Sequence, residues 1–331
     1  MIDRNRKIIS GPARLASLNR LIRLSSQKVA FPFYHTVSGQ PLPHISNLYT
    51  LRTEREFEKD LDEMLLYFEP ISFADYLEGS GLHAGKQYMV LSFDDGLVEC
   101  RDFIAPLLKK KGVPAAFFLN NHFIDNRDLF YRYKASLLIE KMKSDTKVME
   151  AMAGYLDIPE KRAVESILLI GQDQVSLLDA LMKETGIDVT GYMKERPVYM
   201  NTKQVMDLVD WGFEIGGHSP DHADFSKLDQ KEIVKQVRSS VEDLQARFQL
   251  STRYFSFPFT SAGIPMEVIH SLLDKGVAEV LMGTAGLKKT DKTGFIQRIP
   301  MEEYECPARE ALKTEYLYYL LKGLIGRNKI T

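Results

Sequence analysis

The apolar positions of this chain change period repeatedly. Short runs dense in aliphatic and aromatic residues alternate with longer stretches in which apolar residues recur every three or four positions. The runs at 28–36 (KVAFPFYHT), 87–93, 113–119 (VPAAFFL), 213–217, 253–258 (RYFSFP), 277–283 and 295–299 predict strands. The stretches at 54–68, 99–111, 203–211, 229–248 and 265–275 predict helices. The clearest is 229–248, where Ile233, Val237, Val241, Leu244 and Phe248 share a face and Asp229 with Glu232 marks a capping box. Such alternation is the pattern of parallel strands joined by crossover helices, in an open sheet or a barrel. Residues 125–198 break the rhythm. They are charged and helical in pattern (LFYRYKASLLIEKMK, VSLLDALMKETG), and predict an insertion on the C-terminal side of a strand, where substrate-shaping loops gather.

Composition narrows this picture. A 331-residue chain with 44% hydrophobic and 27% charged residues has the make-up of an ordinary soluble protein with ample core material. A net charge of -2 gives no overall push toward nucleic acid. The charge is uneven, however. Residues 1–28 carry seven basic residues (Arg4, Arg6, Lys7, Arg14, Arg20, Arg23, Lys28) against one acid, Asp3, which reads as a solvated leader or a weak contact with an anionic surface. Two cysteines, Cys100 and Cys306, make no disulfide framework, and Cys100 reads as a small core residue. No run of about 18 apolar residues is present, so no membrane span is expected. The basic start lacks an apolar core and a cleavage site, so a cytoplasmic setting is the expectation. The last segment, LKTEYLYYLLKGLIGRNKI, sets Leu317, Tyr318, Leu320, Leu321, Leu324 and Ile325 beside Lys322, Arg327 and Lys329. It predicts a helix packed on the domain or, with the basic N-terminus, a weak peripheral contact with the anionic inner face of a membrane.

Two stretches carry chemistry. In LSFDDGLVEC (91–100) a buried-type strand ends in Asp94, Asp95 and a glycine. Adjacent carboxylates there mark a solvated strand end, a cap, or a site that wants negative charge. In FEIGGHSPDHADF (213–225) a strand ends at two glycines before His218-Ser219-Pro220-Asp221-His222. Ser219 with Pro220 predicts a helix start within the motif, with His218 at the strand end and His222 in the first turn. Two histidines and a carboxylate with open positions are the donor set of a catalytic metal site.

SFDDG, HSPDH and YFSFPFTSAG (254–263) together resemble the first three motifs of the NodB-type polysaccharide deacetylases, carbohydrate esterase family four. The resemblance covers roughly 28–120 and 200–300. It implies an α/β fold, a distorted (β/α) barrel of about seven strands, and metal-dependent removal of N-acetyl groups from an acetamido sugar. The barrel domain then spans 28–303 with 125–198 inserted, between the basic segment 1–27 and a helical segment 304–331. The resemblance makes Asp95, His218 and His222 the metal ligands, Asp94 the general base, and the Phe259 N–H an oxyanion donor. Zinc is the expected ion, with cobalt, nickel or iron as alternatives.

The chain departs from the pattern in three ways. No histidine follows His270, so the late Leu-x-x-His segment that supplies the general acid is missing. Phe259-Thr260 stands where an aromatic-glycine or similar pair is common, and the Asp-to-His spacing is longer than usual, consistent with the insertion. The segment FPFYHTVSGQPLPHISNLYTLRTEREFEKDL resembles the start of the permuted poly-N-acetylglucosamine deacetylases, in which the acid-bearing strand comes first. This makes His35 the expected acid. His44, Pro258 and Arg298 are candidate substrate contacts, with Arg298 alternatively orienting Asp94 or forming a barrel-edge salt bridge. The expected partner is an acetamido sugar of a polysaccharide or a lipid-linked intermediate. Another amide or ester hydrolase on the same metal site, or a non-catalytic carbohydrate-binding barrel, are the competing readings.

Overall fold

The structure, a computed structural model, describes residues 4–80 and 82–330, so residues 1–3 of the basic segment, residue 81 and residue 331 lie outside the described residues. Eight short strands form the central sheet: β1 (Pro32–Tyr34), β2 (Leu91–Phe93), β3 (Ala115–Leu119), β4 (Glu214–Gly217), β5 (Tyr254–Ser256), β6 (Val280–Gly283), β7 (Phe295–Gln297) and β8 (Ile299–Pro300). Their order is β7-β6-β5-β4-β3-β2-β1-β8, and every pairing is parallel. The two edges are successive halves of one run. Phe295–Gln297 pair with Leu281–Gly283, whereas Ile299 and Pro300 pair with Pro32 and Phe33. Between them the Arg298 N–H donates to the Gly283 carbonyl (3.0 Å) and the Ile299 N–H to the Phe31 carbonyl (2.8 Å). The sheet is thus a distorted barrel of seven strands whose last strand switches partner at Arg298. Each of the seven predicted runs contains one of these strands.

Both faces of the strands are covered, which explains the unbroken apolar runs. Tyr34, Phe93 and Phe117 occupy one register row across β1, β2 and β3, with Phe93 stacked on Phe117 (ring centroids 5.1 Å apart) and on Tyr34 (6.2 Å). This row packs outward, under the helices Glu54–Leu65, Ala105–Lys111 and Thr202–Asp210. The alternate positions, Val90, Ala116, Phe118 and Met282, fill the barrel interior. Side chains alternate along a strand. Ser92 and Asp94 therefore point inward, and both meet Arg298.

The five predicted helices are all present. In the helix Gln230–Phe248 Asp229 accepts the Glu232 N–H (2.8 Å), but the Glu232 carboxylate is taken by Lys235 and Gln236. Only half of the expected capping box forms. Residues 125–198 hold five helices of 7 to 14 residues, Tyr131–Ser144, Thr146–Tyr155, Glu160–Leu168, Val175–Glu184 and Val189–Glu195, around their own core of Leu138, Ile139, Ala163, Ile167, Leu178 and Leu181. This layer leaves the barrel after the C-terminal end of β3. The basic N-terminal segment is no solvated leader. Its helices Arg4–Arg14 and Leu18–Ser25 dock on the helix Ala308–Gly323, with Arg6 paired to Glu315 and Arg14 to Glu310. No helix among the described residues is long and apolar enough to cross a membrane.

Candidate metal centre and active site

The site forms where β1, β2, β4 and β5 end. After Asp94 the chain turns through two left-handed residues, Asp95 (φ 72°) and Gly96 (φ 71°). Asp tolerates that conformation. Gly96 is required as well by space, since a Cβ there would lie 2.9 Å from the Leu119 side chain. The turn swings Asp95 away from Asp94, so the two neighbouring carboxylates face different partners.

His218 follows β4, tied to β3 by its N–H to the Leu119 carbonyl (2.8 Å). The expected helix start at Ser219-Pro220 does not form. Ser219 (φ 64°) and His222 (φ 58°) are both left-handed, which no helix accommodates, and the Ser219 hydroxyl instead accepts the Ala223 N–H (3.2 Å) across a loop. This loop folds His222 back beside His218, with ring centroids 4.9 Å apart.

Asp95, His218 and His222 are buried, and their ligand atoms lie within 4.8 Å of one another. Asp95 Oδ1 stands 3.4 Å from His218 Nε2 and 3.2 Å from His222 Nε2. His218 Nδ1 donates to the Ser256 carbonyl (2.8 Å), which leaves the Nε2 lone pair free to ligate. Tyr133 donates to Asp95 Oδ2 (2.8 Å), while Asp95 Oδ1 has no hydrogen-bond donor. Burial lowers the pKa of His222 and keeps its imidazole neutral. Burial alone would raise Asp95, but His222 and His218 hold it well below the ordinary carboxylate range. An ionised carboxylate oxygen without a donor, facing the neutral His222 imidazole and the free Nε2 of His218 in a buried setting, fits a divalent cation. The His218→Ala/His222→Ala variant should therefore lose at least about tenfold in zinc affinity, measured by metal analysis after dialysis. Full occupancy in that variant would put the metal elsewhere.

Asp94 has a different environment. Arg298, buried completely, grips it with two parallel bonds, Nη1 to Oδ1 (2.8 Å) and Nη2 to Oδ2 (2.6 Å). Ser256 adds a third bond to Oδ2 (3.2 Å). Burial pushes Asp94 upward, but Arg298, and then His218, outweigh it and leave the carboxyl below its usual pKa. The guanidinium lies over the Phe33 ring (4.2 Å), so it is fixed on both sides.

His35 directly follows β1, which pairs with β2. Its ring is about a quarter exposed and lines one cavity of ≈ 210 Å³ together with Asp94, Asp95, His218 and His222. Glu302 clamps it. One Glu302 oxygen accepts the backbone N–H groups of His35 (2.9 Å) and Thr36 (3.1 Å), and the other accepts the ring Nδ1–H. Burial acts to lower the His35 pKa, but Glu302, with Asp95 and Asp94 behind it, raises it from 6.5 to about 10.

The polysaccharide deacetylase family model matches residues 82–153 and 172–278, more than half of the chain. The chain belongs to the polysaccharide deacetylase family. No curated protein matches its sequence. Among solved structures, IcaB from Ammonifex degensii superposes with a TM-score of 0.54 at 16% identity, covering 87% of this chain and 97% of that one. The deacetylase PplD of Streptococcus pyogenes, solved with acetate, gives 0.54 at 12% identity over 87% and 98% of the two chains. A de-N-acetylase from Aggregatibacter actinomycetemcomitans gives 0.50 at 14% identity over 86% and 99%. At these identities the likeness is one of fold.

In this polysaccharide deacetylase the remaining candidates fall in different places. Phe259 lines the cavity, its ring edge-on to His222 (4.7 Å) and beneath Arg132 (4.8 Å). Its left-handed backbone (φ 57°) is unusual for a bulky residue and is pinned by Thr284, whose hydroxyl donates to the Phe259 carbonyl (2.8 Å). Pro258 is buried behind it and does not line the cavity. His44 is buried between Tyr133 and Tyr192, with Nδ1 bonded to the Tyr192 hydroxyl (2.7 Å), and burial followed by Arg196 takes its pKa down to about 3. It has no access to substrate because the insertion covers it. Arg298 likewise has none, since Asp94, Ser92 and Ser256 occupy its guanidinium. Of its alternative readings, orientation of Asp94 is the one its position supports. Sequence reasoning missed Tyr133, Arg132, Tyr49 and Glu302, which complete the cavity wall.

Proposed function

We propose that this polysaccharide deacetylase is a metal-dependent hydrolase that removes N-acetyl groups from acetamido sugars of a polysaccharide or glycolipid intermediate. The observation that carries this reading is a single cavity holding a buried Asp95–His218–His222 cluster, an Arg-held Asp94 and a Glu-held His35. These are a cation site, a base and an acid in one place. A divalent cation, zinc first, held by Asp95, His218 and His222 would supply Lewis acidity to the acetyl carbonyl and acidify an attacking water.

The protein's own groups do the rest. Tyr133 fixes Asp95 so that Oδ1 faces the two imidazoles. Asp94, kept ionised and oriented by Arg298, takes the proton of the attacking water. The Phe259 N–H, which has no acceptor among the described residues, would donate to the developing oxyanion. His35, protonated through its pairing with Glu302, delivers a proton to the leaving amine. Phe33, Tyr49, Phe130 and Phe257 on the walls lower local polarity and offer faces for a pyranose ring.

The test is a deacetylation screen by mass spectrometry on the metal-loaded protein, over acetamido sugars supplied free, as oligomers, nucleotide-linked and lipid-linked. A mass loss of one acetyl group, absent after chelation, is expected. Turnover of simple esters without any acetamido sugar would favour the broader hydrolase, and bound sugar without turnover would favour a binding protein.

A further inference from the structure

The C-terminal corner of the molecule presents a surface that catalysis does not use. Across the end of the helix Ala308–Gly323 the chain exposes Leu321, Leu324 and Ile325 to 42%, 83% and 64%. The Arg327 N–H then closes the turn onto the Lys322 carbonyl (2.8 Å), and the chain enters the short strand Lys329–Ile330. That strand pairs in parallel with Lys289–Thr290, which sets Lys329 directly beside Lys289. Lys288 adjoins the pair, and burial followed by the nearby charges of Lys322 and Arg6 lowers its pKa.

Among the described residues these cations are left without counter-charges. No acid occurs in 284–290 or 316–330, with Asp291 the next along the chain. Glu315, the carboxylate that faces Lys288, is already held by Arg6 and Tyr304. None of Lys288, Lys289, Lys322, Arg327 and Lys329 makes an ion pair among the described residues. Like charges placed directly opposite on neighbouring strands are destabilising. Three large aliphatic side chains within five positions are an exposed cluster rather than isolated surface residues.

We propose that this corner docks on an anionic lipid bilayer, with Leu321, Leu324 and Ile325 entering the interface and the five cations meeting lipid phosphates. The combination of charges and aliphatic tips decides the occupant. A second copy of the chain would bring five like charges against five. A soluble polyanion would use the lysines and leave the aliphatic cluster in water.

The test is co-sedimentation of the full-length protein with phosphatidylcholine vesicles, with and without phosphatidylglycerol. Binding is expected only with the anionic lipid, and should weaken as salt rises. Lys289→Gln/Lys329→Gln should weaken it about thirtyfold, from about 1 kcal/mol per basic residue at such a surface. Leu324→Ser/Ile325→Ser should weaken it at least about tenfold through lost apolar burial. All four side chains lie outside the core, so a melting temperature no lower than that of the unaltered protein and unaltered turnover of a soluble substrate should accompany both changes. No binding to the anionic vesicles would overturn the proposal. So would binding that survives Leu324→Ser/Ile325→Ser, which would make the corner a purely ionic surface.

Discussion

Replacing Asp94 by Asn should lower deacetylation at least about a hundredfold, the usual contribution of a general base, while leaving bound metal in place. The separation follows from the geometry. Asp94 spends its oxygens on Arg298 and Ser256, whereas Asp95 faces the two imidazoles. The substitution also leaves Arg298 buried without a counter-charge, and breaking such a pair costs about 3–5 kcal/mol. A lowered melting temperature is therefore expected together with the lost rate, and turnover has to be measured well below it. Asp94→Asn should slow an activated aryl acetate as severely as an acetamido sugar, because both need the attacking water deprotonated. An Asp94→Asn protein that keeps its rate, or one that loses its metal, would transfer the base role to Asp95.

The depressed pKa of Asp94 makes it a weak base, and this has a thermodynamic side. Its folded pKa lies below the unfolded value of 3.8, so the Arg298 pair stabilises the fold above that pH and the contribution fades as pH falls through the folded value. Basicity is thus exchanged for a carboxylate that is ionised throughout the neutral range. That exchange suits a water already acidified by a cation and would not suit an unassisted one.

The barrel was legible because each strand is covered on both faces, which turns strands such as AAFFL and VLMG into continuous apolar runs. The seam was not. Arg298 interrupts a strand-like run, and nothing local indicates that the residues before it pair with β6 and those after it with β1. The clustered Asp94-Asp95 and His218-Ser219-Pro220-Asp221-His222 stood out by composition, and the structure brings them together. The Ser-Pro pair within the second misled, because its capping signal is local while the left-handed turns at Ser219 and His222 are set by closure onto β2 and β5. Tyr133 lies 38 residues from Asp95, and Glu302 lies 267 from His35. Neither carries a period or motif that points to its partner. A tyrosine in a helix and one of three glutamates after a strand look ordinary until the barrel closes.

His35→Ala should lower turnover of acetamido sugars by roughly a hundredfold to ten-thousandfold, with metal content unchanged. The role rests on topology as much as on chemistry. β1 comes first in the chain yet lies between β2 and β8, so His35 reaches the cavity that holds Asp94 although 59 residues of sequence separate them. A proton donor matters only when the leaving group needs one. His35→Ala should therefore leave an activated aryl acetate nearly untouched while it disables amide cleavage, the opposite of Asp94→Asn. Glu302 sets the pH range of the donor. With a folded pKa of about 10 against 6.5, the imidazolium persists through neutral pH, and the alkaline limb of kcat/KM should fall near pH 10. The stabilisation from the His35–Glu302 pair is complete below about pH 6.5 and is lost as pH rises through about 10. Glu302→Gln removes the negative charge that does most to raise that pKa, so its alkaline limb should move toward neutrality while the rate at pH 6 is largely kept. Equal loss of ester and amide turnover in His35→Ala, or an alkaline limb that Glu302→Gln does not move, would assign the leaving-group proton to a different donor.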